Sequence, residues 1–359
     1  MANPFPPTLP AEPAPRPVVA KASGGRLMGC LTVVLVIGLL VSVLFNFMFL
    51  ADGLVSVTGT AQSLEPVSEI MLKQPVGETE KKVVHLDLDG MISSIGNGYG
   101  GLPQLTRQIR AAAADDNVVA IVLRINSPGG EVTASDNLYH EVSKANYVKP
   151  VIIFMDSLAA SGGYYIACGG RKIVASHTSL TGSIGVIMQG LNYRELFEKV
   201  GLEATTFKSG AFKDMLSGSR EMREEEKEYI QSLVMEMYDR FVGIVAESRG
   251  LDVDFLKTGV ADGRIISGAG ALEAKLVDAL GYLEDAYEVA LAEAGVTDAA
   301  IVTYRQPFQL GNLIGLLGGK AGTIGKQKIE IDISDRLVPR LQPGVLYYLM
   351  PPLEAAPEG

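Results

Sequence analysis

The sequence predicts an α/β fold of repeated βα units, preceded by a single transmembrane helix. Three observations predict it. From residue 81 onward, short apolar runs alternate with segments of helical period, the pattern of a parallel sheet with helical crossovers. Residues 27–51 (LMGCLTVVLVIGLLVSVLFNFMFLA) form an uncharged run long enough for a helix to cross roughly 30 Å of hydrocarbon. The chain has 359 residues, is 47% hydrophobic and holds 40 glycines, which suits one large domain or two small ones and not a disordered chain.

Residues 1–26 are dense in proline and alanine and cannot bury enough apolar surface to offset their ordering entropy, so they read as a disordered tail. Arg16, Lys21 and Arg26 precede the apolar run and Asp52 follows it. The positive-inside rule then places the tail in the cytoplasm and the bulk of the chain outside the cell membrane, on a single-pass anchor. A cleaved signal peptide has a much shorter apolar core with a small-residue cleavage site close behind it, so the segment reads as retained. Cys30, at the start of the run, serves there as a small apolar residue; with Cys168 it forms no metal-ligand spacing and no disulfide framework.

Residues 52–80 read as a polar connector, residues 81–300 as the folded domain and residues 301–359 as a C-terminal extension. Within the domain VVHLDLDG, VVAIVLRIN and PVIIFMD predict strands, with helices at LPQLTRQIRAAAAD and through SDNLYHEVSKA between them. Further on, RKIVAS and GVIMQ predict short strands around a Ser/Thr/Gly turn, LNYRELFEKVG a helix and EATTFKSG another strand. EMREEEKEYIQSLVMEMYDRFVGIVAESRG predicts a long amphipathic helix whose acidic first turns suit the positive end of the helix dipole. ALEAKLVDALG and YLEDAYEVALAEAG continue in helical period. The apolar, glycine-rich residues 307–325 suit a loop, a partner surface or a lip facing substrate. A net charge of −10 with dispersed basic residues leaves no footprint for a phosphate backbone, which argues against nucleic acid as a partner.

Three glycine turns fall at the C-terminal ends of predicted strands, where open α/β sheets place their sites. In Asn126-Ser127-Pro128-Gly129-Gly130 the paired glycines let the backbone approach a ligand and offer amide N–H groups to an oxyanion, or form an ordinary turn before a helix. In the segment from Ser157 to Ser161-Gly162-Gly163, either serine can cap a helix, and small residues around Ser161 leave room for a substrate backbone. A nucleophilic serine needs a base. His85 lies inside the first strand pattern and His140 on a helix remote from the turns; only His177 keeps a Ser-His-Asp triad open. Lys213, in KSGAFKDM, lies beside Phe212 and Met215. As a base it requires a setting that lowers a lysine pKa from about 10.4 by roughly three units, about 4 kcal/mol of desolvation. Otherwise it is a surface lysine paired with Asp214.

Taken together, NSPGG, SLAASGGYYIACGG, TGSIGV and KSGAFKDM resemble, in their order and approximate spacing, the signal peptide peptidase A family of the clan that shares the ClpP/crotonase fold. The resemblance covers most of residues 81–290. It implies a ClpP/crotonase-like peptidase domain with Ser161 as nucleophile, Lys213 as general base and Ser183, in TGSIGV, as the hydroxyl that orients the lysine. It puts the oxyanion hole on the backbone N–H groups of Gly130 and Gly162, with Gly129 as the alternative to Gly130, and implies no metal or other cofactor. The activity implied is that of a membrane-anchored serine endopeptidase that degrades remnant signal peptides and other unstructured apolar peptides. Relatives form ring-shaped homo-oligomers, so the serine and lysine meet within one protomer or between neighbours; some carry two copies of the domain, whereas this chain shows one. An acyl-CoA hydratase of the crotonase type would use the same paired amides, but a membrane anchor argues against it. A catalytically silent membrane scaffold that binds peptides is the remaining alternative, which loss of Ser161 or Lys213 would have favoured.

Overall fold

The computed structural model describes residues 38–43, 68–94, 102–305 and 345–349. The chain divides into two compact units, residues 1–63 and 64–359. In the first, residues 38–43 are helical (α1), and Leu39, Leu40, Val41 and Val43 are exposed. The remainder of the apolar run at 27–51, the proline-rich tail and the glycine-rich stretch at 307–325 lie outside the described residues. Among the described residues no helix is long and apolar enough to cross a membrane.

The second unit is built on a nine-stranded sheet. Its strands run in the order β1 (Ser68–Lys73), β10 (Ala300–Arg305), β2 (Lys82–Asp89), β3 (Val118–Ser127), β5 (Val151–Ala160), β6 (Lys172–Ala175) and β9 (Ala279–Leu280). From β10 to β9 every pairing is parallel, while β1 runs antiparallel to β10. Off this row, β7 (Leu180–Gly182) pairs in parallel with the far end of β5 and antiparallel with β8 (Ile265–Ser267). β4 (Gly129–Glu131) and β11 (Tyr347–Leu349) form a separate antiparallel pair. The helices are α2 (Leu102–Ala114), α3 (Val132–Val148), α4 (Gly162–Ala167), α5 (Arg194–Lys199), α6 (Glu224–Arg249), α7 (Val253–Thr258), α8 (Gly268–Glu273) and α9 (Leu283–Glu293).

The near-continuous apolar runs of β3 and β5 follow from a sheet covered on both faces. Side chains alternate across a strand, so each run divides between two cores. Leu86, Ile121, Leu123, Ile125, Ile153 and Met155 join Ile109 of α2, Leu138 of α3 and Phe241 of α6 in the larger one. Their neighbours Val83, Ala120, Val122, Ile152 and Phe154 pack with Ala286 and Ala290 of α9 in the smaller. The long helix α6 starts with Glu224, Glu225 and Glu226 and stops at Gly250, whose φ of 63° is the left-handed conformation that ends helices.

Several elements depart from the sequence reading. The connector at 52–80 contains the edge strand β1, and the stretch from 301 onward supplies most of β10 and all of β11. Each pairs with a segment far away in sequence, which no local pattern announces. EATTFKSG forms no strand: its backbone is irregular and Phe207 is almost fully exposed. GVIMQ makes a single bridge, Ile187 to Tyr347. The helical period in ALEAKLVDALG breaks after Glu273, where Lys275 takes a φ of 59° and the chain turns into β9.

Candidate active site

Ser161 sits in the one-residue turn between β5 and α4, with φ 54° and ψ −113°. A non-glycine residue held there costs on the order of 1–3 kcal/mol and persists only where its surroundings fix it. They do so from both sides. The Ser161 N–H donates to the Gly182 carbonyl at 2.8 Å, and the Ser161 carbonyl accepts from the Tyr165 N–H at 2.9 Å. Tyr165 itself is locked by three ring contacts, to Tyr139, Phe241 and Tyr348, at centroid distances of 5.4, 5.0 and 4.8 Å. At about 0.5–1.5 kcal/mol each beyond burial, these contacts are of the size needed to offset the strain. The Tyr165 hydroxyl donates to Asp136 at 2.6 Å, the carboxylate that also receives Arg240, and the Tyr164 hydroxyl donates to the Leu276 carbonyl at 2.9 Å. Burial pushes the Tyr165 phenol far above its ordinary range, so it stays a donor.

The Ser161 hydroxyl is buried and has no hydrogen-bond partner among the described residues. Such a group is costly unless something arrives to use it. Beside it the glycines converge. A methyl carbon built on Gly162 would lie 3.1 Å from the Gly130 nitrogen and 2.5 Å from Ser135 Oγ; one built on Gly129, whose φ is +101°, would lie 2.7 Å from the Gly162 nitrogen. The absence of side chains is therefore what lets β4 and the start of α4 touch, with the Gly130 and Gly162 nitrogens both at the contact and the Gly130 N–H on the strand edge that pairs with Tyr348 of β11. β11 lies along the same strand, with the Tyr348 carbonyl against Gly129 and the Tyr348 ring in the aromatic cluster.

Ser183 is placed by register. Ala160 of β5 pairs with Gly182 of β7, so Ser161 and Ser183 leave two neighbouring parallel strands at the same level. Ser183 also has a positive φ, 49°, is nearly buried, and donates its N–H to the Arg264 carbonyl at 2.7 Å.

Lys213 is not joined to this group. It is itself exposed, in a turn at 211–216 whose second half is partly buried, with its N–H donating to the Gly210 carbonyl at 3.2 Å. Its expected surface partner is also absent: Asp214 is taken by Arg220 at 2.6 Å and Lys208 at 2.7 Å, and those two cations hold its carboxyl far below the usual carboxylate range. Among the described residues the Lys213 ammonium has no ion pair or hydrogen bond. The histidines serve other ends. His85 is bonded to Asp87 and Tyr287 inside the sheet, His140 is exposed on α3, and His177 is exposed, with its ring 6.3 Å from that of Tyr282. His177→Ala is accordingly expected to leave peptide turnover within about twofold of the parent, as for a surface substitution; a loss of several orders in a steady-state assay would restore the triad reading.

A serine on a strained strand-to-helix turn beside converging glycine amides is an arrangement that acyl-transfer hydrolases use. Comparison with known proteins narrows the class. The model of peptidase family S49 matches residues 143–297. A protein of Enterococcus faecium, named provisionally as a signal peptide peptidase SppA, is 39% identical over 269 residues, which cover 71% of this chain and 78% of that one. A provisionally named protease of Methanocaldococcus jannaschii is 42% identical over 190 residues, 53% of this chain and 61% of the relative, and the chloroplastic serine protease SPPA of Arabidopsis thaliana is 36% identical over 194 residues, 54% and 28%. The chain belongs to peptidase family S49 and is a serine peptidase with a parallel-rich α/β fold.

Two features of the site escaped the sequence reading. β11 carries no turn signal near the glycines it lies against. The ion network around Asp214 was visible only as alternating charge in KDMLSGSREMREEE, which reads equally as a solvated face.

Proposed function

We propose that this chain is a membrane-anchored serine endopeptidase with a Ser–Lys dyad, completed when one protomer brings Lys213 to the Ser161 of its neighbour in a ring-shaped homo-oligomer. The observation that carries the reading is the pair of groups unused among the described residues: a buried Ser161 hydroxyl with no partner and an exposed Lys213 with no ion pair. In the assembled site neutral Lys213, oriented by the Ser183 hydroxyl, takes the proton from Ser161 as its oxygen attacks the peptide carbonyl. The Gly130 and Gly162 N–H groups receive the oxyanion. Lys213 then returns the proton to the leaving amine, and water, deprotonated by the same lysine, releases the acyl group and regenerates the serine.

Remnant signal peptides and other unstructured apolar peptides are the proposed substrates. The SppA names of the relatives support this, as does the apolar run at 27–51, which would hold the domain close to the outer membrane surface where such peptides lie. The orphaned serine also suits a second reading, a scaffold that binds peptides without cutting them.

The test is complementation. Ser161→Ala and Lys213→Ala proteins, each inactive alone on an apolar peptide, are expected to regain turnover when co-expressed in one assembly, because mixed neighbours contain intact pairs. A mixture that stays inactive beside an active wild type would place both residues in one protomer. Wild type without activity on any peptide would favour the scaffold.

A further inference from the structure

We infer that Arg220 is a positioning residue for Lys213: its guanidinium fastens the turn that carries the lysine to the first turn of α6. The inference rests on the reading of Lys213 as the base. A general base needs its atom held to a fraction of an ångström, and a misplacement of about 1 Å costs on the order of 100-fold. Yet Lys213 belongs to neither helix nor strand, and the chain around it from residue 201 to 213 is exposed. Whatever fixes the lysine must act through its neighbours.

Both neighbours are tied to α6. On one side, Arg220 grips the Asp214 carboxylate with two N–H groups, Nε to Oδ2 at 3.0 Å and Nη2 to Oδ1 at 2.6 Å, and donates to the Asp214 carbonyl at 3.2 Å. The same guanidinium donates to both oxygens of Glu226, Nη1 to Oε2 at 2.8 Å and Nη2 to Oε1 at 2.7 Å. Glu226 is fully buried in the first turn of α6 and also accepts from the Arg223 N–H at 2.8 Å. On the other side, Arg223 lies 5.4 Å over the Phe212 ring and donates to the Ala211 carbonyl at 3.0 Å, while Tyr229 of α6 meets Phe212 edge-on at 5.8 Å. The far half of α6 is rooted in the core through Phe241, Val242 and Val245. A continuous path thus runs from the core along α6 to Glu226, Arg220, Asp214 and the lysine.

Arg220 does a second thing for its neighbour. By occupying Asp214 together with Lys208, it keeps the adjacent carboxylate from capturing Lys213 as an ion pair, which would hold the base protonated. The planar fork meets each of the two carboxylates with a pair of N–H groups; an ammonium at 220 could bridge them, as Lys82 bridges Glu69 and Asp115, but only with single-point contacts that leave the turn free to swivel.

The experiment uses the full-length chain on an unstructured apolar peptide, with kcat and KM measured across pH for Arg220→Gln, Arg220→Lys, Arg220→Gln/Asp214→Asn and Lys213→Ala. Arg220→Gln is expected to lower kcat about 100-fold with KM within about threefold, and to move the rise of turnover to higher pH. The double variant, with no carboxylate left to capture the lysine, is expected to return the rise to its original pH while kcat stays low. Arg220→Lys is expected to lose about tenfold in kcat, since it keeps the charge without the fork. Faster amide hydrogen exchange at residues 210–216 in the Arg220→Gln protein reports the loosened turn without reference to catalysis. Wild-type kcat and pH profile in Arg220→Gln, or in Arg220→Lys should the first variant not fold, overturn the inference, as does a loss of kcat with an unmoved pH profile. Activity surviving in Lys213→Ala is a different failure, one that removes the dyad itself.

Discussion

Ser161→Ala is expected to abolish peptide hydrolysis and leave the fold intact. Among the described residues the serine hydroxyl makes no hydrogen bond, so alanine abandons no partner there, and both residues bear the same cost at a φ of 54°. Removing the buried, unpaired oxygen is neutral or mildly stabilising by the usual cost of an orphaned polar group. Removing a nucleophile from a working site costs about 10⁴–10⁶ in kcat. The paired measurement is turnover on an apolar peptide and the thermal unfolding midpoint: turnover at background with an unchanged or slightly raised midpoint is the expected result, and wild-type turnover would end the assignment.

Gly130→Ala is expected to cost both activity and stability. Its new methyl carbon would fall 1.8 Å from the Ile92 carbonyl oxygen, with two further backbone atoms of Ile92 inside 3 Å, so no side-chain rotation relieves the clash. The segment must move, and the Gly130 N–H moves with it. In the oxyanion-donor role proposed for Gly130, such a displacement lowers kcat by about 10²–10³-fold, and overpacking of this kind destabilises by roughly 1–3 kcal/mol. Gly190→Ala is the control, since nothing lies within 4 Å of its added carbon and its φ is not positive. Should Gly130→Ala retain full turnover, the oxyanion hole lies elsewhere.

How much of this was readable in advance depended on where each contact lies. β2, β3 and β5 were legible because burial on two faces forces long apolar runs, and α6 because its acidic start, apolar stripe and terminal glycine agree. The Ser161 turn stood out through its small residues at a strand end, which a helix cap would use equally well, so only the other motifs beside it pointed to chemistry. What stayed hidden is non-local. β10 and β11 pair with segments from the other end of the domain, and no period or cap encodes such a partner. Lys213 was singled out only through the company of the other motifs, since by itself it reads as a surface lysine. A strand was expected at 203–210 because its residues alternate, but no sheet edge among the described residues pairs with it, and an unpaired strand does not form.

The way Ser161 is held bears on how the enzyme is switched on. Its amide and its carbonyl are both committed, to Gly182 and to Tyr165, and its Cα is pinned between a sheet and a helix. The soft coordinate left to the residue is rotation about one bond, χ1, which swings the oxygen among three staggered positions in a fixed frame. If Ser161 is the nucleophile, as proposed, arming it is a rotation within the site that needs no movement of the chain. Under the proposed dyad, any slow step in activation would belong to the arrival of the base, not to the preparation of the serine.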